Sequence, residues 1–481
     1  MLASKSELFA VLRQYNPWWD GKRIPDLPNW RRAAFREVSL WLNEPPTHRA
    51  VLLSGARQVG KTTLLLQAIE SLIARGIKPS RILYATFDHP LLKLTGAQKL
   101  LELWHEFEPA GDEMEFLFLD EIQNDKNWQT WLKHQVDFAK HRRIFVTGSA
   151  TPLVTEGQES GVGRWHTIRL ATLSFYEYLQ IKKISEPELP EVPTLAKLFE
   201  WQPTDFARVA AKATPLVGHF HEYLLRGGFP QAALMESIPA AQKLLREDIV
   251  DKVLKRDMTA LFGVRLILEL EQVFLYLCMH DGALLDIGAL CSSLQLTKPT
   301  VNNFIALLEA AHLIHRLQPF GYGKEILRAK SKVYLADAAI APSVLLKGKS
   351  LLEDDAALGL AVETAFFKHV FTRYYDQSIS FAYWRSKKTD REVDIIANVE
   401  GRLVPFEVKY RAKATGAGEM KGMAEFCADK KVARGYAVTK TMDDFSIMPL
   451  ESAGPGAMVL KIPAPLACYW LGKSEISNEP R

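Results

Sequence analysis

Residues Ala50 to Thr63 read AVLLSGARQVGKTT, an apolar run followed by a glycine loop. The loop has the form G-x-x-x-x-G-K-[ST], and the helix-like TLLLQAIESLIA, Thr63 to Ala74, continues from its last residue. Strand, loop, then helix is the context that gives this motif a physical meaning. Gly55 and Gly60 let the backbone turn with its N–H groups inward, with no side chain to block an approaching phosphate. The positive end of the following helix dipole points at the same place. Gly55, Ala56, Arg57, Gln58, Val59, Gly60, Lys61, Thr62 and Thr63 are therefore expected to wrap the triphosphate of ATP. Lys61 reaches the β- and γ-phosphates, and Thr62 sets a hydroxyl on Mg²⁺. A chance glycine turn before a helix is the alternative, and the agreement of strand, loop and helix weighs against it.

A second string supports the first. Phe116 to Glu121 read FLFLDE, a short apolar run ending in two acids. The run predicts a buried parallel strand, which puts Asp120 at its carboxyl end, where open α/β sheets bind ligands. Asp120 is the expected Mg²⁺ partner of Thr62. Glu121 is placed to orient or deprotonate an attacking water. An acidic strand end capping the next helix would be the better reading only if the loop were absent. Further on, RRIFVTGSA (Arg142 to Ala150) ends a strand in hydroxyls, and Ser149 is a candidate γ-phosphate sensor. Arg164, just before the strand-like RWHTIRL, is a candidate for stabilising transition-state charge on a neighbouring subunit's nucleotide. Turn chemistry for the first and a surface arginine for the second remain the competing readings.

The apolar runs AVLLS, RILYATF, FLFL, RIFVTG and RWHTIRL alternate with helical patterns. The pattern predicts an α/β fold: a P-loop NTPase parallel sheet with helices on both faces. The expected order is an N-terminal segment (1–28), an ATPase core (29–181), a helical region (182–280), a winged helix-turn-helix-like module (281–345) and a smaller α/β nuclease-like domain (346–481). In the segment before the core, NPWW (Asn16 to Trp19) is expected to close the core rather than meet the nucleotide base. In the module, IGALCSSL and KPTVNNFIALLEAA would be the paired helices, with LIHRLQPF and KVYLAD as wing strands. Lys298, Thr300, Asn302 and Asn303 would face a DNA groove if the module binds DNA. The absence of arginine along that helix favours a purely packing role.

The last portion carries a second constellation. Glu363 lies on the helical GLAVETAFFKHVFTRYY, Asp394 on the strand-like REVDIIANV, and Glu407 and Lys409 on LVPFEVKYR. Strand alternation puts Glu407 and Lys409 on one face. Asp394 and Glu407 could share a Mg²⁺, with Lys409 orienting water. This is the D…E-x-K pattern of the PD-(D/E)xK nuclease-like fold, with a Glu-Val-Asp where a Pro-Asp is often found. A retained fold whose charges form an ion-pair cluster is the competing reading.

Taken together, GARQVGKTT, FLFLDEIQ, TGSA and the GR…LATLSFYEYL stretch resemble the AAA-type ATPases of prokaryotes. Within them they resemble the subgroup whose C-terminal half is a domain of unknown function. YLLRGGFPQA, KVYLAD, VETAFF, REVDII and FEVKY extend the likeness over nearly the whole chain. The resemblance implies that Lys61, Thr62, Asp120 and Glu121 carry the nucleotide chemistry, with a sensor at Ser149 and an arginine finger at Arg164. The expected function is a Mg²⁺-dependent ATPase whose nucleotide state acts on the C-terminal half. An ATP-regulated metal-dependent DNA nuclease and a non-enzymatic ATP switch that binds a partner are the alternatives.

Composition bounds these readings. A chain of 481 residues is too long for one core. With 60 basic against 56 acidic residues, the net charge of +4 is too weak to argue for DNA as a partner without local patches. The 4 cysteines show no metal-ligand spacing, which fits reduced thiols in a cytoplasmic protein. VRLILELEQVFLYLCM is the nearest approach to a membrane span, and Arg265, Glu269 and Glu271 interrupt it. No membrane association is expected, and oligomers are left open.

Overall fold

The computed structural model describes residues 4–109, 113–148, 163–321, 329–374 and 379–477. The chain divides into two compact units, Met1–Ala171 with Ala310–His312, and Thr172–Glu309 with Leu313–Arg481.

The first unit is built on a five-stranded sheet. Its strands are β1 (Ala50–Ser54), β2 (Ile82–Thr86), β3 (Glu115–Asp120), β4 (Arg142–Gly148) and β5 (Trp165–Arg169). They lie in the order β2-β3-β4-β1-β5, and every pairing is parallel. This is the predicted P-loop NTPase sheet. Every residue of β1, β2 and β3 is buried, which is why these strands read as unbroken apolar runs rather than alternating ones. Helices Lys61–Ala74, Ala97–Phe107 and Trp128–Phe138 connect the strands. Because β4 lies between β1 and β3, the carboxyl ends of these three strands form one continuous ledge.

Gly55, at the exit of β1, is required by packing as well as by phosphate access. A Cβ there would lie 2.2 Å from the Leu170 carbonyl oxygen, and the Leu170 N–H already donates to Ser54 O at 2.7 Å. Neither backbone can yield without breaking the β1–β5 exit. Gly55→Ala is therefore expected to cost about 2 kcal/mol or more of stability even without nucleotide. A thermal melt of the ligand-free variant that overlays the wild type would refute the contact.

The N-terminal segment closes the core. Helix Lys5–Tyr15 starts in a reciprocal cap between Ser4 and Glu7. Asn16 then pairs with the backbone of β2, the sheet's edge strand: its Nδ2 donates to Tyr84 O at 2.8 Å and its Oδ1 accepts from Tyr84 N at 2.7 Å. The Trp18 and Trp19 indoles both donate to Ile82 O.

The second unit begins at Thr172. Helix Phe175–Ile181, placed by the pattern at the end of the ATPase core, packs its aromatic face on Phe220 and Tyr223 of this unit. The Leu173 N–H donates to Gly228 O at 2.6 Å, and the Phe175 N–H to His369 Nε2 at 2.7 Å. Helices run from Pro203 to Met279. Helices Ile287–Leu294 and Lys298–Ala310 follow, then the antiparallel hairpin β6 (Ile314–Pro319) and β7 (Lys332–Leu335).

The remaining strands are β8 (Ile379–Arg385), β9 (Glu392–Val399), β10 (Arg402–Lys409), β11 (Arg434–Thr439), β12 (Ser446–Pro449) and β13 (Met458–Pro463). The mixed sheet runs β12-β13-β11-β10-β9-β8-β6-β7. Helix Asp355–Tyr374 precedes β8, and helix Lys421–Lys430 links β10 to its parallel neighbour β11. The hairpin does not stand apart as a wing. Gln318 and Pro319 of β6 pair with Ala382 and Tyr383 of β8, so residues read as two modules share one sheet.

Candidate functional site

The loop after β1 has the backbone that the motif demands. Gly60 sits at φ 96° and begins helix Lys61–Ala74, and Gln58 at φ 63° is also left-handed. Only glycine takes the first of these without strain. Lys61 is 4% exposed. Its ammonium donates to Gly55 O and Ala56 O, both at 2.9 Å, so the side chain folds back over its own loop. Arg32 donates to Val59 O at 3.0 Å and to Ala171 O at 2.7 Å, a brace for the loop that no sequence motif signals.

Asp120 is the hub of the ledge. Thr62 Oγ1 donates to its Oδ2 at 2.9 Å, the Tyr84 hydroxyl to the same oxygen at 3.1 Å, and Thr147 Oγ1 to its Oδ1 at 2.5 Å. Burial raises its pKa, and the neighbouring Glu121 charge raises it further, against the Thr147 and Thr62 hydroxyls and Lys61. The same burial, with Asp120 alongside, pushes the Tyr84 phenol up. A carboxylate surrounded by hydroxyls is an all-oxygen donor set suited to a hard divalent cation, so Thr62 and Asp120 fit Mg²⁺.

Glu121 turns off the strand at φ 52°. Its N–H donates to Thr147 Oγ1 at 2.9 Å, and its carboxylate accepts from the Gln123 amide. Thr147 thus ties both acids together. Ser149, the predicted sensor, lies outside the described residues. Arg164 precedes β5 at its amino end, pairing with Asp137 at 3.2 Å. The loop leaves the opposite end of β1, five residues away along the paired strands, or about 16 Å. Arg164 does not meet its own chain's loop.

The second constellation also converges, with a member the sequence reading omitted. Lys332, opening β7, is 3% exposed. Its Nζ lies 2.8 Å from Glu363 Oε1, 2.9 Å from Glu392 Oε1 and 3.1 Å from Asp394 Oδ1. Asp394 Oδ2 accepts from the Val408 N–H at 2.8 Å. Glu407 Oε1 pairs with Lys409 Nζ at 2.5 Å. The Tyr334 hydroxyl donates to Glu363 Oε1 at 2.7 Å.

Burial, then Asp394, push Glu407 up to about 8 despite Lys409, and the same two causes raise Glu363. For Lys332, burial opposes the charge, but Asp394 and Glu363 outweigh it and hold the pKa well above the usual lysine range. The expected Mg²⁺ pair, Asp394 and Glu407, is thus engaged by ammonium groups, and no group of three or more metal-ligating side chains is found among the described residues. As arranged, these side chains do not fit a divalent cation.

Comparison with known proteins gives three family matches along the chain. Residues 47–179 match the family described as an AAA domain, a stretch that includes the loop, Asp120 and Glu121. Residues 217–351 and 358–458 match two domains of unknown function, DUF8612 and DUF4143. An uncharacterized protein of Haemophilus influenzae is 24% identical over 368 residues, covering 75% of this chain and 82% of its own. An uncharacterized protein of Mycobacterium tuberculosis is 25% identical over 422 residues, covering 86% and 82%.

Among solved structures, the replication initiator DnaA bound to AMPPCP and single-stranded DNA matches at 16% identity and a TM-score of 0.25, covering 57% of this chain and 86% of that one. PCH-2 of C. elegans matches at 14% identity and a TM-score of 0.25, covering 52% and 68%. Scores at this level do not establish a shared arrangement. No described helix is long and apolar enough to cross a membrane.

Proposed function

We propose that this chain binds ATP with Mg²⁺ and hydrolyses it. The observation that carries the reading is the single ledge on which Lys61, Thr62, Asp120, Glu121 and Thr147 meet. The loop amides and Lys61 bind the β- and γ-phosphates, Thr62 and Asp120 hold the metal, and Glu121 accepts the proton of the attacking water. Bound Mg²⁺ would neutralise charge between the two phosphates. Purified protein is expected to bind a non-hydrolysable ATP analogue in a Mg²⁺-dependent way and to release phosphate from ATP. Protein that does neither overturns the reading. A finger role for Arg164 requires a second copy of the chain, because its own loop lies at the far end of the sheet.

The finer reading is that nucleotide state governs the C-terminal half, which meets DNA in a cytoplasmic setting. Two features support it. A helix, three antiparallel strands, a helix and a parallel strand follow in the order of a nuclease-like fold and gather Glu363, Asp394, Glu407 and Lys409. The helix pair before the hairpin leaves Lys298, Asn302 and Asn303 exposed. ATPase rates with and without DNA, with the DNA checked for nicks, separate the alternatives. A changed rate with intact DNA supports coupling. Cutting that disappears in Glu407→Ala or Lys409→Ala supports a nuclease. A single slow turnover indifferent to DNA supports a switch without catalytic turnover.

A further inference from the structure

We propose that Lys332 is a built-in counter-ion that closes the C-terminal acidic cluster to divalent cations. An ammonium has three N–H bonds to donate. Lys332 faces three separate carboxylates, Glu363, Glu392 and Asp394, at 2.8 to 3.1 Å. Its hydrogen-bonding capacity is thereby matched to the cluster, and the ammonium is buried beside the buried Glu363, with Asp394 and Glu392 half-buried. The neighbouring β6–β7 pairing holds it there: Lys332 is in register with Leu317, and an isolated bridge joins it to Leu284.

Two further carboxylate oxygens of the cluster are taken as well. Asp394 Oδ2 is taken by a backbone N–H, and Glu407 Oε1 by Lys409. Glu407 Oε2 is buried with no hydrogen-bond partner among the described residues. A divalent cation needs several oxygens within about 2.1 to 2.5 Å. To reach Asp394 and Glu363 at that distance it would have to displace the Lys332 ammonium, a like charge in a desolvated site where repulsion is poorly screened. The cation that the acids require is therefore supplied by the chain itself. This does not depend on ATP hydrolysis by the first unit.

The test is Mn²⁺ binding to the full chain without nucleotide, followed by electron paramagnetic resonance. Wild-type protein is expected to take up no Mn²⁺ that Asp394→Asn removes. Lys332→Ala is expected to gain about one Mn²⁺ per chain, bound at least about tenfold more tightly than by wild type. Adding Asp394→Asn or Glu407→Gln to Lys332→Ala should abolish the gain. Wild-type binding that Asp394→Asn eliminates overturns the proposal, as does a folded Lys332→Ala chain that gains nothing. Removing a buried charge alone is destabilising. If Lys332→Ala does not fold, the double variant Lys332→Met/Glu363→Gln removes one charge of each sign, keeps Asp394 and Glu407, and carries the same readout. The wild-type comparison decides regardless of either variant.

Discussion

Glu121→Gln is expected to hold ATP and fail to cleave it. The substitution keeps the shape of the side chain and removes only its capacity to accept a proton. The local backbone does not depend on that charge: the turn at φ 52° is anchored by the Glu121 N–H on Thr147 Oγ1. Asp120 keeps its three hydroxyl donors from Thr62, Tyr84 and Thr147, so the metal and phosphate contacts survive. Loss of a positioned general base lowers turnover by about 10²- to 10⁴-fold. Phosphate release in a single turnover, set beside binding of a fluorescent ATP analogue, measures both halves of the claim. Undiminished turnover would remove Glu121 from the mechanism.

Lys61→Ala should act on the other quantity. Its ammonium is the buried cation of the loop, and each charge-assisted bond it gives a phosphate oxygen is worth about 1.5 to 3 kcal/mol. Losing two such bonds lowers affinity by about 100-fold or more. The same ammonium also bonds Gly55 O and Ala56 O in the ligand-free protein, so the variant's melting temperature has to be compared with the wild type's. A variant that folds and still binds ATP at wild-type affinity would show that the loop is not the phosphate site.

Much of this site was legible because it is local. AVLLS, the glycine loop and its helix are consecutive, and FLFLDE announces its own burial by lacking polar alternation. The contacts that bind the motifs together were less visible. Thr147, the first hydroxyl of the TGS string, reaches both Asp120 and Glu121 across the β3–β4 pairing, a contact that no motif spells out. Tyr84 sits inside an apolar run where nothing marks its hydroxyl as a donor to Asp120. In the second unit the E-x-K spacing correctly joined Glu407 to Lys409. Lys332 escaped notice because it lies 62 residues before Asp394 in the chain, on a strand whose apolar neighbours suggested a wing. Spacing reports neighbours on one element, and only the folded chain brings the Lys332 side chain of β7 to Asp394 of β9.

The clasp between Asn16 and Tyr84 has a practical corollary. A chain shortened to begin near Asn29, where the motif-bearing core starts, would lose both amide contacts and the two indoles that cover the flank of β2. The outermost ladder would then offer bare donors and acceptors to any passing strand, a recipe for self-association rather than for a tidy minimal ATPase. The aromatic leader is in this sense a solubility device for the sheet behind it.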